Sequence, residues 1–355
     1  MCRNLRPLLA LACFFVFLTH AQLGIAAPLS LAEKWNLQKN QANEVIDETT
    51  NSDSFADTEF FPEFFTELFS DFFSDFFKDK HVLFVGGFGH DLLGSFAGYF
   101  KVAAEVAQND FKMTTSISKT STIWFSKNVD QIAKEIKTIY EVDHKKVILI
   151  GHSKGGGECL HVALRYPELI QNHILDRVIL MQASVRGCAI VADEHLRFPV
   201  LVVKNFLNNF VDGFSFLNPY HADALLTDAL QKCAIKLIPP PSGSNNAPKS
   251  TEDTQWSHFS RKVLYIPSGL HPEQQSYPVK AARLLFCWRH IDIDTELSDG
   301  LLPCNDQQDL RIGQHLGIMP ADHLGLMVHP WLGGLPPLEQ RAFFRALFLH
   351  LNEMN

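Results

Sequence analysis

The chain is short of cationic charge. Lys and Arg total 31 against 39 Asp and Glu, a formal net charge of −8 over 355 residues. That balance argues against a nucleic-acid partner, because phosphate binding draws on surplus Lys and Arg. Long apolar runs are scarce too. Beyond residue 27 no stretch reaches the roughly 20 residues that span a bilayer. The early apolar run Leu8 to Leu18 follows Arg3 and Arg6 and precedes Ala21, Ala26 and Ala27. This is the layout of a secretory signal over residues 1–27, cleaved after Ala21 or Ala27, so the expected product is secreted, extracellular or periplasmic. Cysteine is sparse: Cys2 and Cys13 fall inside the signal, leaving Cys159, Cys188, Cys233, Cys287 and Cys304. An odd count requires at least one free thiol. An oxidising compartment permits a bridge, expected between Cys304 and either Cys233 or Cys287. Cys159 is expected to pack as a small core residue.

What is abundant is phenylalanine, 29 residues clustered early in a chain that is 46% hydrophobic. The length suits one large α/β domain or two small ones. Residues 28–80 read as an acidic, Phe-rich N-terminal extension. Its first part, 28–58, is polar and acidic and predicts a linker or mobile arm. From Phe60 to Phe77 paired aromatics recur about every four residues with one acid per repeat. A period of four drifts by about 40° per repeat around an α-helix, so the stripe wraps a surface. The expectation is a helix packed on the main domain or on a partner, and the rival is a segment that seeks a lipid interface.

From residue 81 strands and helices alternate. His81 to Val85 is a compact β run leading into Gly86-Gly87-Phe88-Gly89, and Thr114 to Trp124 is a second β-like segment. Val129, Ile132, Ala133, Ile136, Ile139 and Tyr140 mark an amphipathic helix. The run Val147 to Ile150, Arg177 to Ala183 and Val263 to Ile266 supply further strands, and Leu338 to Leu351 a last helix. Such alternation predicts a mostly parallel sheet flanked by helices over residues 81–355. Residues 205–261 break the pattern and predict a cap or lid insertion.

One stretch organises the rest. Val147-Ile148-Leu149-Ile150 runs into Gly151-His152-Ser153-Lys154-Gly155, and Leu160, Ala163 and Leu164 then follow at helical spacing. Strand, Gly-x-Ser-x-Gly and helix form the context of a nucleophile elbow, which exposes a serine oxygen at a helix N-terminus. A serine needs a base, and the base an orienting acid. The residues alone leave the base open among His221, His271, His290, His315, His323, His329 and His350. The loop Pro320 to Gly325 and the acidic turn Ser298 to Pro303 stand out, while Asp212, Asp294 and Asp306 compete with Asp299.

Five blocks in order give the chain from about His81 to Leu351 a resemblance to the bacterial secreted triacylglycerol lipases of the pseudomonad type, with the α/β-hydrolase fold. They are Val85 to Gly89, Gly151 to Gly155, Gln182 to Cys188, Asp299 to Pro303 and Asp322 to Leu326. The resemblance implies Ser153 as nucleophile, Asp299 as acid and His323 as base. It places the oxyanion donors on the backbone N–H groups of Phe88 and Lys154. The chain departs from the pattern in Gly86-Gly87, where His-Gly is usual, and in Ser184-Val185-Arg186, which lacks Pro-His. Lys154 replaces the commoner Gln, and its ammonium is expected to alter substrate preference. Gly325 stands where several relatives carry a calcium-binding Asp, so no metal is expected there, and the chemistry requires no cofactor. The expected activity is hydrolysis of carboxylic esters, acylglycerols first, with a lipid or ester substrate met at a lipid–water interface. The rivals are a phospholipase or acyltransferase with the same triad, and a secreted membrane-interaction factor with an idle hydrolase core.

Overall fold

The central strands of the sheet are apolar over most of their length because both of their faces are covered, whereas the edge strands are polar. The computed structural model describes residues 29–50, 76–93, 98–122, 124–187, 219–237, 249–280, 298–309 and 311–354. In chain order these form α1 (Leu31–Thr50), β1 (Lys80–Val85), α2 (Lys101–Asn109), β2 (Thr114–Ile117), α3 (Ser126–Asp143), β3 (Lys146–His152) and α4 (Lys154–Arg165). There follow β4 (Leu175–Met181), α5 (Pro219–Leu237), α6 (Lys249–Ser260), β5 (Val263–Ile266), β6 (Gln314–His315) and α7 (Pro337–Glu353). The six strands lie in the order β2-β1-β3-β4-β5-β6, and every neighbouring pair is parallel.

Side chains alternate between two layers with the period of two that a strand imposes. Leu83, Val85, Val147, Leu149, Val178 and Leu180 face one layer, where they meet Val129, Ile132 and Ile136 of α3 and Leu160, Ala163 and Leu164 of α4. Val82, Phe84, Ile148, Ile150, Ile179 and Met181 face the other, against α2 and the Phe343, Phe344, Leu347 and Phe348 side of α7. The β-like segment that begins at Thr114 ends as a strand at Ile117.

Two regions differ from the sequence expectation. Residues 31–50, expected as a linker, are a helix. Ser30 and Glu33 form a capping box: the Glu33 N–H donates to Ser30 Oγ at 3.3 Å, and the Ser30 N–H donates to Glu33 Oε2 at 2.8 Å. Leu31 and Trp35, one helical turn apart, are buried in the core. Trp35 packs edge-on against Phe343 with ring centroids 5.5 Å apart, and its indole N–H donates to the Glu339 carbonyl at 3.2 Å. A polar average had concealed two well-placed apolar residues and a cap. The described parts of the 205–261 segment also join the core. Ala222, Leu226, Ala229 and Cys233 of α5 and Phe259 of α6 belong to the same layer as α4.

The Phe-rich repeat is seen at its end. Phe77 is fully buried, edge-on to Phe111 at 5.1 Å and to Phe348 at 6.3 Å. Phe60 to Phe73 and residues 1–27 lie outside the described residues, as do Cys188, Cys287, His290, Asp212 and Asp294. Cys159 and Cys233 are buried free thiols, so the Cys233–Cys304 bridge does not form. Cys233 points into the α4 layer, where burial pushes its thiol up to about 12. Cys304 sits instead beside β5, its thiol donating to the Ser268 carbonyl at 3.1 Å.

Candidate active site

In the strand order the chain moves outward from β1 to β2, then returns to add β3 on the other flank of β1. Loops leaving β1 and β3 therefore diverge and open a crevice, the place where open parallel sheets bind ligands. Gly86-Gly87-Phe88 leaves one strand there and Ser153 the other.

Ser153 is the N-cap of α4 with φ 57° and ψ −126°, a conformation that costs a non-glycine residue about 1–3 kcal/mol. Its neighbours hold it there. A Cβ on Gly155 would sit 2.4 Å from the Gly86 carbonyl oxygen and 2.5 Å from that of Val85. One on Gly156 would sit 2.5 Å from Ala183 Cβ, and one on Gly151 2.6 Å from Cys159 Sγ. The helix can press this close to the sheet only because all three positions are glycine. The Ser153 N–H donates to the Met181 carbonyl at 3.1 Å, and the Ser153 carbonyl accepts the Ser184 N–H at 3.1 Å.

The other two groups arrive on loops. Asp299 follows an isolated bridge at Ser298 and is fully buried. Its Oδ1 accepts the N–H groups of Leu301 at 2.9 Å and Leu302 at 2.7 Å. Its Oδ2 lies 2.7 Å from His323 Nδ1. The backbone joins the two loops as well, the His323 N–H donating to the Asp299 carbonyl at 2.8 Å. A carboxylate only accepts, so Nδ1 carries the imidazole proton and Nε2 is left with its lone pair. Nε2 stands 2.9 Å from Ser153 Oγ, in position to accept the hydroxyl proton. Asp322, next to His323, is spent on its own loop: Oδ1 accepts the Leu324 N–H at 3.1 Å and Oδ2 the Ser276 N–H at 2.7 Å.

The structure thus brings Ser153, Asp299 and His323 together and, among the described residues, leaves their competitors elsewhere. His221, His271, His315 and His329 are exposed, His350 packs beside Lys34 of α1, and Asp306 lies in a 3-10 turn from Cys304 to Gln307.

The loop after β1 is fixed at several atoms. The Gly87 carbonyl accepts from His90 Nδ1 at 3.0 Å. Across a planar trans peptide the Phe88 N–H points opposite to that carbonyl. Gly87's own N–H is committed to the Tyr99 hydroxyl at 3.2 Å, and the Gly89 N–H to Thr122 Oγ1 at 2.8 Å. The loop abuts the elbow so closely that a Cβ on Gly87 would come 2.8 Å from Ser153 Cβ. Lys154 opens α4, so its N–H has no acceptor within the helix. Its side chain turns away from the crevice. The ammonium is buried on Glu158 and on the carbonyls of Trp124 at 2.8 Å and Ser121 at 3.3 Å. The ammonium thereby braces the loop after β2.

Sequence reasoning gave no role to His152, Tyr99 or His90, all of which bond within the site. His152 lay inside the glycine-serine motif and could have been noticed. Tyr99 and His90 carry no local signal. Among the described residues no group of three His, Cys, Asp or Glu side chains is placed to hold a metal ion.

Among solved structures the chain is similar to the metagenomic carboxyl esterase MGS0156, with a TM-score of 0.55 at 14% identity over 78% of this chain and 76% of that one. The chain has the α/β-hydrolase fold. Fainter likenesses are to the mature lipase BlEst2 of Bacillus licheniformis and the phospholipase PlaB of Legionella pneumophila. The first has a TM-score of 0.46 at 12% identity over 76% of this chain and 91% of that one. The second has 0.36 at 13% over 64% and 45%. No family model and no curated protein matches the sequence. Within the α/β-hydrolase fold, Ser153 occupies the strand–turn–helix joint at the crevice, and the order Ser, Asp, His along the chain is the one this fold uses.

Proposed function

We propose that this protein is an exported serine hydrolase that cleaves carboxylic esters, acylglycerols first among them, through an acyl-enzyme. The observation that carries the reading is the hydrogen-bonded line from Ser153 Oγ through His323 to Asp299 at the crevice between β1 and β3. As Ser153 Oγ attacks the ester carbonyl, its proton passes to His323 Nε2. Asp299 holds the imidazole in the required tautomer and stabilises the imidazolium that forms. The carbonyl oxygen gains negative charge and is met by the N–H groups of Phe88 and Lys154. His323 then returns the proton to the departing alcohol, and the C–O bond breaks to leave the acyl group on Ser153. Water, deprotonated by His323, releases the carboxylic acid and restores the hydroxyl.

The resemblance to secreted triacylglycerol lipases supports the acylglycerol assignment, and the layout of residues 1–27 supports export. The side chain of Phe88, 42% exposed on the oxyanion loop, offers apolar surface to an acyl chain. A fluorophosphonate probe, with the adduct located by mass spectrometry, tests the reading alongside p-nitrophenyl esters from acetyl to palmitoyl. Labelling at Ser153 and turnover of the longer esters are expected. A chain that neither labels nor turns over any ester contradicts it.

A further inference from the structure

Two residues outside the proton-transfer line sit at its centre. His152 is fully buried. Burial, reinforced by the neighbouring imidazole of His323, holds its own ring neutral. One ring nitrogen, Nε2, lies 2.9 Å from the His323 carbonyl oxygen. A carbonyl only accepts, so Nε2 carries the proton and Nδ1 is an acceptor. Nδ1 is bonded to the Tyr99 hydroxyl, which must donate to it. The Tyr99 oxygen in turn accepts the Gly87 N–H at 3.2 Å. Every direction in the chain Gly87 N–H, Tyr99 O–H, His152 Nε2–H, His323 C=O is fixed by its end groups.

This chain touches all three parts of the site. It begins on the oxyanion loop, passes through the residue before Ser153, and ends on the backbone of the residue that carries the base. The His323 backbone is thereby held on both sides, its N–H by Asp299 and its carbonyl by His152. We propose that Tyr99 and His152 are positioning residues that set the oxyanion loop, the elbow and the His323 loop in one register. The inference rests on the serine-hydrolase reading. Losing the link lets the parts shift independently, and a misplacement of about 1 Å costs on the order of 10²-fold in rate.

The test uses the full chain with Tyr99→Phe, His152→Phe and His152→Gln. Turnover of p-nitrophenyl butyrate and the second-order rate of fluorophosphonate labelling are measured for each. Tyr99→Phe and His152→Phe should lower kcat and the labelling rate by about tenfold or more, with KM held within about twofold. His152→Gln keeps one donor and one acceptor and should recover most of the loss. Tyr99→Phe removes a single oxygen, so it keeps the test decisive if His152→Phe fails to fold. A Tyr99→Phe protein with a lower melting temperature but wild-type kcat and labelling rate would mean a merely structural link and overturn the inference alone. A wild-type chain inert to both reagents would overturn the hydrolase reading, and this inference with it.

Discussion

The elbow and the loops that face it hold their functional atoms by different physics. Ser153 is fixed sterically: three glycines let α4 close on the sheet, and carbonyl oxygens or side chains fill the space a Cβ would need. Asp299 and His323 sit on irregular backbone, where a Cβ on the neighbouring Gly300 would meet the side chains of Val279 and Gln275 rather than backbone oxygens. They are fixed by directed hydrogen bonds, two N–H groups on Asp299 Oδ1 and two on the carboxylate of Asp322. Packing gives all-or-nothing placement, whereas a network of bonds can be weakened one bond at a time. The nucleophile should thus be brittle and the acid–base pair gradable.

Substitutions should separate the two modes. Asp299→Asn keeps the shape of its loop but offers His323 the wrong tautomer, and kcat should fall by about 10⁴. Steady-state kinetics at constant KM would check this, and near-normal turnover would move the acid elsewhere. Gly155→Ala tests the steric mode. Its methyl meets two backbone oxygens that cannot swing aside, so Ser153 should be displaced, with about 10²-fold loss for 1 Å and about 1–3 kcal/mol of overpacking strain. Denaturant titration and kinetics on the same preparation would show both losses, and a silent Gly155→Ala would end the steric account. Asp322→Ala tests the bonded mode. It frees the Ser276 and Leu324 N–H groups, should cost about 1.5–3 kcal/mol, and should slow turnover by less than the 10²-fold of a full 1 Å shift.

The smallest effect concerns pH. His161, buried in α4 edge-on to Phe125, has its imidazole pushed down from 6.5 to about 3, by burial first and by Arg165 second. Between those values the unfolded chain takes up a proton that the folded chain refuses. Its contribution to stability is therefore complete above about pH 6.5 and is lost as the pH falls toward 3, at about 1.4 kcal/mol per unit. His161→Leu should flatten the dependence of unfolding free energy on pH across that window by about one proton. An unchanged slope would show that His161 titrates normally.

The same contrast governs what could be read from the sequence. The elbow was legible because its causes are local: an apolar run, glycines at fixed offsets and a helical period, all within twenty residues. The fold was legible for a similar reason, since strands covered on both faces are continuously apolar. Asp299 and His323 were not separable from their rivals by their own residues. Their loops meet Ser153 across 146 and 170 positions of chain, and only the order of five resembling blocks singled them out. The link from Tyr99 to His152 carried no pattern, because a single tyrosine in a loop shows nothing until the fold turns it inward. Helix α1 was missed for the opposite reason: its capping box and its Leu31–Trp35 pair were local and readable, but an acidic average obscured them.

The central claim is that Ser153 and His323 act as one unit, and a double-mutant cycle tests it most directly. Ser153→Ala and His323→Ala should each lower kcat by about 10⁶, and the double variant should be no slower than either, because removing either member already disables the other. If the double variant instead loses the product of the two single effects, the residues act independently and the account of the site is wrong.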